Sequence, residues 1–176
     1  MTVALLCPGQ GDQHPGMMDL ALAAPAGIRA LREASDAART DLAAVAREGG
    51  PRIFENRAAQ PLVCATEVAT WAALREALPQ PLLVAGYSLG ELAAYGCAGA
   101  LSPGAAVALA ARRAEEMDAA SRGASGLVAL RGLELGRVEA LASEAGAEVA
   151  IVNGPLHCLV GGYLEALEEV ERRAAA

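Results

Sequence analysis

The stretch "PLLVAGYSLGELAAYGCAG", residues 81–99, constrains the fold more than any other part of this chain. Leu82–Ala85 is continuously apolar rather than alternating, the pattern of a buried strand. It runs into Gly86-Tyr87-Ser88-Leu89-Gly90, a G-x-S-x-G pentapeptide, after which small residues recur at helical spacing. A strand that becomes a helix within five residues passes through strained backbone, and flanking glycines let the two segments pass closely. The N-terminus repeats the theme: "VALLC", residues 3–7, reads as a strand stopped by the turn "PGQG". Strand–helix–strand order of this kind predicts an α/β fold with a parallel sheet covered on both faces.

Between these strands, residues 17–47 read as helical pieces broken near "APAG". "QPLVCATEVATWAALREAL", residues 60–78, predicts the longest helix. Cys64, Val68, Trp71, Leu74 and Leu78 recur at three and four, with proline in the first turn. Another helix covers 88–99. "SPGAAVALAARRAEEMDAA" then opens with a serine cap and a proline at the first helical position. Past residue 122 the pattern changes to strand "GLVALRGL", helix "ELGRVEALASEAG", strands "AEVAIVN" and "HCLVGG", and helix "YLEALEEVERRAAA". This βαββα order is one strand short of a ferredoxin-like α+β subdomain. The expected division is an α/β core over 1–122 and a partial subdomain over 123–176.

Composition narrows the functional classes. The chain is 176 residues long with a net charge of −7, which argues against a nucleic-acid partner because nothing neutralises a run of phosphates. It is 54% hydrophobic yet 3% aromatic, so alanine-rich helices should pack closely. No apolar run approaches the ~18 residues of a membrane span, and "MTVALLCPGQG" lacks a basic n-region. Cys7, Cys64, Cys97 and Cys158 are far apart in apolar contexts, as expected of buried free thiols rather than disulfides or a metal site. A cytoplasmic protein is expected.

The bend at 86–90 would lift the Ser88 hydroxyl to a helix N-terminus, with the backbone N–H of Leu89 and the helix dipole favouring negative charge on a bound oxygen. An acyl oxyanion needs a second donor, and the glycine-flanked Gln10 at the end of the first strand can present one. Two arginines follow in "AARRAEEM". Arg113 has Leu109 four residues before it and Met117 four after, which places it on an apolar stripe. Arg112 precedes Glu115 and Glu116 at three and four, which suits a solvated ion pair. An inward guanidinium needs an anion, either a structural glutamate or a substrate carboxylate held through two parallel hydrogen bonds.

Taken together, these residues resemble the malonyl-CoA:acyl carrier protein transacylases and related acyltransferase domains. The likeness rests on "PGQGDQHPGM", on "QP" at 60–61, on "GYSLGELAAYGCAG", on an arginine 25 residues after the serine, and on "VNGPLHCLVGG". The resemblance implies a hydrolase-like parallel-sheet core with a small ferredoxin-like subdomain. It also implies transfer of a malonyl group from malonyl-CoA to the phosphopantetheine thiol of an acyl carrier protein through a malonyl-Ser88 intermediate. Gln10 and Leu89 would form the oxyanion hole, Arg113 would hold the malonyl carboxylate, and Gln60 and Tyr87 would line the pocket. No metal or organic cofactor is implied, because the thioester is already activated. The chain departs from the pattern in three places. Tyr87 replaces a histidine, a form associated with the transacylase subunit of malonate decarboxylases. His157 replaces a glutamine. The family's catalytic histidine lies in a motif downstream of the subdomain, and neither His14 nor His157 fits it. The expectation is therefore an N-terminal portion of a longer protein, inactive or weakly active by itself, with open sheet edges that invite association.

Two other classes share some of these features. An α/β-hydrolase esterase or thioesterase shares the pentapeptide but has no use for "PGQG" after the first strand. A non-catalytic acyltransferase-like module would bind a partner without turnover.

Overall fold

Two short apolar runs pair as parallel strands, β1 (Ala4–Cys7) and β2 (Leu83–Gly86), in the register Ala4↔Leu83 through Cys7↔Gly86. Residues 2–121 and 123–175 are described by the computed structural model, which separates into two compact units, Met1–Asp118 and Ala119–Ala176. In the first unit, Leu5, Cys7 and Val84 pack into the core, whereas Leu6 and Leu83 are 70% and 56% exposed. The sheet is thus covered on one face, not both as the continuous apolar runs predict. Side chains alternate along a strand, and within this unit the helices cover only one of the resulting faces.

The helices of this unit are α1 (Asp19–Leu22), α2 (Pro25–Ala38), α3 (Leu42–Glu48), α4 (Asn56–Leu74), α5 (Gly90–Cys97) and α6, which starts at Pro103 and runs to Ala120; a single 3₁₀ turn spans Pro51–Phe54. Pro25 opens α2, and Arg39 ends it in the left-handed conformation at φ 51°. Asp41 caps α3 by accepting the Ala44 N–H at 2.9 Å. Helix α4 forms the centre, with Leu62, Cys64, Ala65 and Ala69 fully buried. A β-carbon on Gly27 would lie 2.2 Å from the Ala21 carbonyl oxygen and 2.9 Å from that of Ala69, so α2 meets α4 backbone to backbone.

Helix α4 starts four residues earlier than the expected 60–78 and ends at Leu74, leaving Leu78 exposed. Pro61 therefore sits inside the helix rather than in its first turn. The Glu55 carbonyl accepts the N–H groups of Ala58 and Ala59 at 2.9 and 2.7 Å, which starts the ladder ahead of the proline. On α6, Ser102 Oγ accepts the Ala105 N–H at 3.2 Å, the cap expected from the sequence. Its buried stripe is Ala106, Val107, Ala110 and Ala114. Leu109 and Met117 are 47% and 43% exposed, so Arg113 flanks the buried stripe instead of lying on it. Alanines and Val107, rather than Leu109 and Met117, face inward because the helix packs closely.

The second unit contains β3 (Ser125–Arg131), α7 (Leu135–Ala145), β4 (Glu148–Gly154), β5 (His157–Tyr163) and α8 (Leu164–Ala174). The strands form an antiparallel sheet in the order β3-β5-β4. Gly146 closes α7 at φ 76°, as its place in the sequence predicts. Leu130, Val138, Cys158, Val160, Leu167 and Val170 build a separate core. Residue 122, where the sequence puts the division, and residue 176, the last of the expected final helix, lie outside the described residues.

Candidate active site

Ser88 has φ 55°, a left-handed backbone conformation that a β-carbon disfavours. The bend holds it there because two glycines allow close passage. A β-carbon on Gly86 would come within 2.2 Å of the Gly90 carbonyl group, and one on Gly90 within 2.1 Å of the Cys7 carbonyl oxygen. The N-terminus of α5 thus abuts the end of β1, and the Tyr87 N–H donates to the Cys7 carbonyl at 2.9 Å. Ser88 is exposed, while Leu89 behind it is buried. The N–H groups of Gly90, Glu91 and Leu92 close the first turn of α5 on the Tyr87, Ser88 and Leu89 carbonyls, at 2.9, 3.1 and 3.0 Å.

The "PGQG" loop lies against this bend. The β-carbon position of Gly9 is 3.3 Å from the Tyr87 carbonyl oxygen, 3.4 Å from the Tyr87 ring and 3.8 Å from Ser88 Cβ. Gln13, almost fully buried, tethers the loop by donating from Nε2 to the Ile53 carbonyl at 3.0 Å and accepting the Gly11 N–H. The backbone of the Gln10 segment and the Ser88 hydroxyl are therefore neighbours, as the sequence predicts.

Arg113 reaches the same place from α6. Its Nη2 donates to Ser88 Oγ at 3.2 Å, and its Nη1 donates to Gln60 Oε1 at 2.8 Å. Arg112 instead pairs with Glu116 on the solvent side, as its spacing predicts. Gln60 is fully buried, and its Nε2 donates to Asn56 Oδ1 at 3.4 Å and contacts Met117 Sδ at 3.3 Å. The Gln10 side chain also donates to Asn56 Oδ1, at 3.2 Å. Asn56 Nδ2 donates to Asp118 Oδ1 at 3.0 Å, and Arg57 Nε donates to Asp118 Oδ2 at 3.3 Å. All six sequence-expected residues thus gather around one bend. Asn56, Asp118 and Gln13 were not visible as site residues. Asn56 stands four before Gln60 on one helix face, a spacing readable only once α4 is started at Asn56.

A guanidinium and an exposed hydroxyl side by side can receive an acyl group that carries a second, anionic end. Among the described residues, two of the five guanidinium N–H donors are engaged, which leaves three for that anion. His14 accepts the Met17 N–H at its carbonyl, and its ring lies near Gly16 in the turn before α1. His157 opens β5 in the second unit, in register with Arg131. Among the described residues, the hydrogen-bond partner of the Ser88 hydroxyl is Arg113, not a histidine. No group of three or more His, Cys, Asp and Glu side chains is placed to hold a metal ion among the described residues.

Glu67, on α4 near Cys7, is a second unusual residue. Both carboxylate oxygens of Glu67 are buried without a hydrogen-bond partner among the described residues. Burial, and then the nearby Cys7 thiol, push its pKa up to about 9, so it is a neutral carboxylic acid at pH 7. Burial likewise pushes Cys64 up to about 12. A hydrogen bond from Cys97 lowers the Cys7 pKa, and the same bond raises that of Cys97. All four cysteines are free thiols, Cys97 half-buried and the others buried.

The acyl transferase domain family matches residues 4–176. The chain belongs to that family. This acyl transferase domain is 34% identical to the malonyl CoA-acyl carrier protein transacylase of Salmonella typhimurium, over 98% of this chain and 58% of that protein. It superposes with a TM-score of 0.90 on the structure of the malonyl CoA-acyl carrier protein transacylase of Coxiella burnetii, at 31% identity, over 99% of this chain and 58% of the other. A malonyl-transacylase solved in complex with a type II PKS acyl-carrier protein gives a TM-score of 0.88 at 30% identity, over 99% and 59%. The domain thus spans 58% of the length of the Salmonella relative. Among the described residues, no helix is long and apolar enough to cross a membrane.

Proposed function

We propose that this acyl transferase domain serves a protein that moves a malonyl group from coenzyme A to the phosphopantetheine thiol of an acyl carrier protein, through a malonyl-Ser88 ester. The observation that carries the reading is the 3.2 Å hydrogen bond between Arg113 and the left-handed Ser88. It puts a guanidinium within reach of a carboxylate two carbons from an acyl carbon bonded to Ser88 Oγ. The names of the relatives support the same chemistry.

In this reading Ser88 Oγ adds to the thioester carbonyl carbon, and its proton passes to a base. The backbone N–H groups of Gln10 and Leu89 hold the oxyanion. Collapse breaks the C–S bond, and the coenzyme A sulfur takes up the proton. The carrier thiol then attacks the Ser88 ester by the same steps in reverse. Arg113 pairs with the malonyl carboxylate, while Gln60 and Tyr87 line the pocket. Arg113 cannot act as the base, since a guanidinium stays protonated. The proton acceptor is a group outside the hydrogen-bonded set around Ser88. The Arg113 contact occupies a lone pair of Oγ and leaves its hydrogen to be removed. A thioester is an activated acyl donor, so the reading calls for no metal or organic cofactor.

The finer architecture belongs to the same proposal: a hydrolase-like core over 1–122, and over 123–176 part of a ferredoxin-like subdomain. So does a cytoplasmic location. Tyr87 before the serine favours a dedicated carrier protein of the malonate decarboxylase kind. The test is acylation of the protein as encoded by malonyl-CoA, followed by peptide mapping. The label should sit on Ser88, move to a carrier thiol, and vanish in Ser88→Ala. Label at the wild-type level in Ser88→Ala would remove the proposal, and rapid loss of the label to water without a carrier would favour an esterase.

A further inference from the structure

We propose that Asp118 and Asn56 are positioning residues that orient the amide side chains of Gln10 and Gln60 and, through Gln60, hold Arg113 toward Ser88. The inference rests on the reading of Ser88 and Arg113 given above. An amide side chain has a donor end and an acceptor end, and reversing it changes what it offers its neighbours. The direction here is set by members that can act in one way only: Asp118 and Met117 Sδ accept, and Arg113 donates. Asp118, as a carboxylate, can only accept, so Asn56 must turn Nδ2 toward it, at 3.0 Å. That leaves Asn56 Oδ1 facing the Nε2 atoms of Gln10 and Gln60, at 3.2 and 3.4 Å. Gln60, with its donor end engaged by Asn56 and Met117 Sδ, presents Oε1 to Arg113 Nη1 at 2.8 Å. Arg113 is then held with Nη2 toward Ser88.

If Gln60 were reversed, its NH₂ would face the guanidinium, donor against donor, and Arg113 would be pushed off the serine. Gln60 is fully buried, so water cannot repair a wrong orientation there. Asn56 also joins the two sides of the site, since one oxygen receives Gln10 from the β1 loop and Gln60 from α4. Arg57, on the outer side of Asp118, donates to its second oxygen and keeps the carboxylate pointed inward.

The test exchanges the polarity of the 56–118 contact without changing net charge. Asn56→Asp alone sets two carboxylates against each other. Adding Asp118→Asn restores a donor opposite an acceptor, and residue 56 still offers an oxygen to Gln10 and Gln60. The measurement is the ratio of kcat/KM for malonyl-CoA over acetyl-CoA, on the protein as encoded. Asn56→Asp should lower this ratio about tenfold, the scale of one lost hydrogen bond to a charged group. The double variant should recover most of it. A purely structural role would lower both donors together and leave the ratio unchanged. Should Asn56→Asp not fold, the double variant is compared with Asn56→Leu and should keep the higher ratio. A double variant no better than either single replacement, or a wild-type ratio throughout, overturns the inference. Failure of the wild-type protein to take malonyl on Ser88 overturns the functional reading instead.

Discussion

Ser88 keeps a conformation that costs roughly 1 kcal/mol for a residue with a β-carbon, and the surrounding backbone leaves it no other. Gly86 and Gly90 permit that bend, because a side chain at either position would overlap main-chain atoms. Glu67 is a second uncomfortable residue, an acid whose carboxylate oxygens are buried without a hydrogen-bond partner among the described residues. Its pKa is raised from 4.5 to about 9, by burial first and Cys7 second. The unfolded chain ionises above pH 4.5 while the folded one does not. The stability tied to this group is therefore complete below about pH 4.5 and is lost progressively as pH rises toward 9. Glu67→Gln keeps the shape and removes the ionisation. Denaturant unfolding should show the variant gaining on wild type from pH 5 to pH 8, by on the order of a few kcal/mol. A difference that does not change with pH would mean that Glu67 is charged in the fold.

At the scale of elements, α4 carries both the core and the inner wall of the site. Its contact with α2 depends on Gly27, whose missing side chain lets the Ala21 and Ala69 carbonyls approach. Gly27→Ala should destabilise the first unit by about 3 kcal/mol or more, despite alanine's better helix propensity, as measured by denaturant unfolding. A neutral or stabilising result would show that the two helices are not packed this tightly. The bend at 86–90 was readable because strand, glycines and helix have local signatures. The βαββα order of the second unit was readable for the same reason. The start of α4 was not, because a proline that ordinarily marks a first turn here lies within the helix. That one displacement hid the Asn56–Gln60 pair. Arg113, the arginine that reaches Ser88, was singled out by its spacing, but for a partly wrong reason. Its neighbours Leu109 and Met117 are exposed, and the helix buries alanines instead. Asp118 had no local signal at all, because its role depends on where α6 passes α4.

At the scale of the whole molecule, each unit has its own core, and the first unit's parallel sheet leaves Leu6 and Leu83 uncovered. Nothing in composition or periodicity reveals which face of a two-stranded sheet will be covered, since both apolar runs read as buried throughout. What the sequence does carry at long range is the joining of three distant segments, 8–10, 86–90 and 113, at one hydroxyl. The account depends on Ser88 and Arg113 forming a single site for an acyl group with a free carboxylate. Its most direct test is Ser88 acylation by malonyl-CoA and by acetyl-CoA, compared in wild type and Arg113→Ala of the protein as encoded. The account predicts that wild type prefers malonyl-CoA and that Arg113→Ala loses most of that preference, by about tenfold or more. Equal losses for both donors would contradict it.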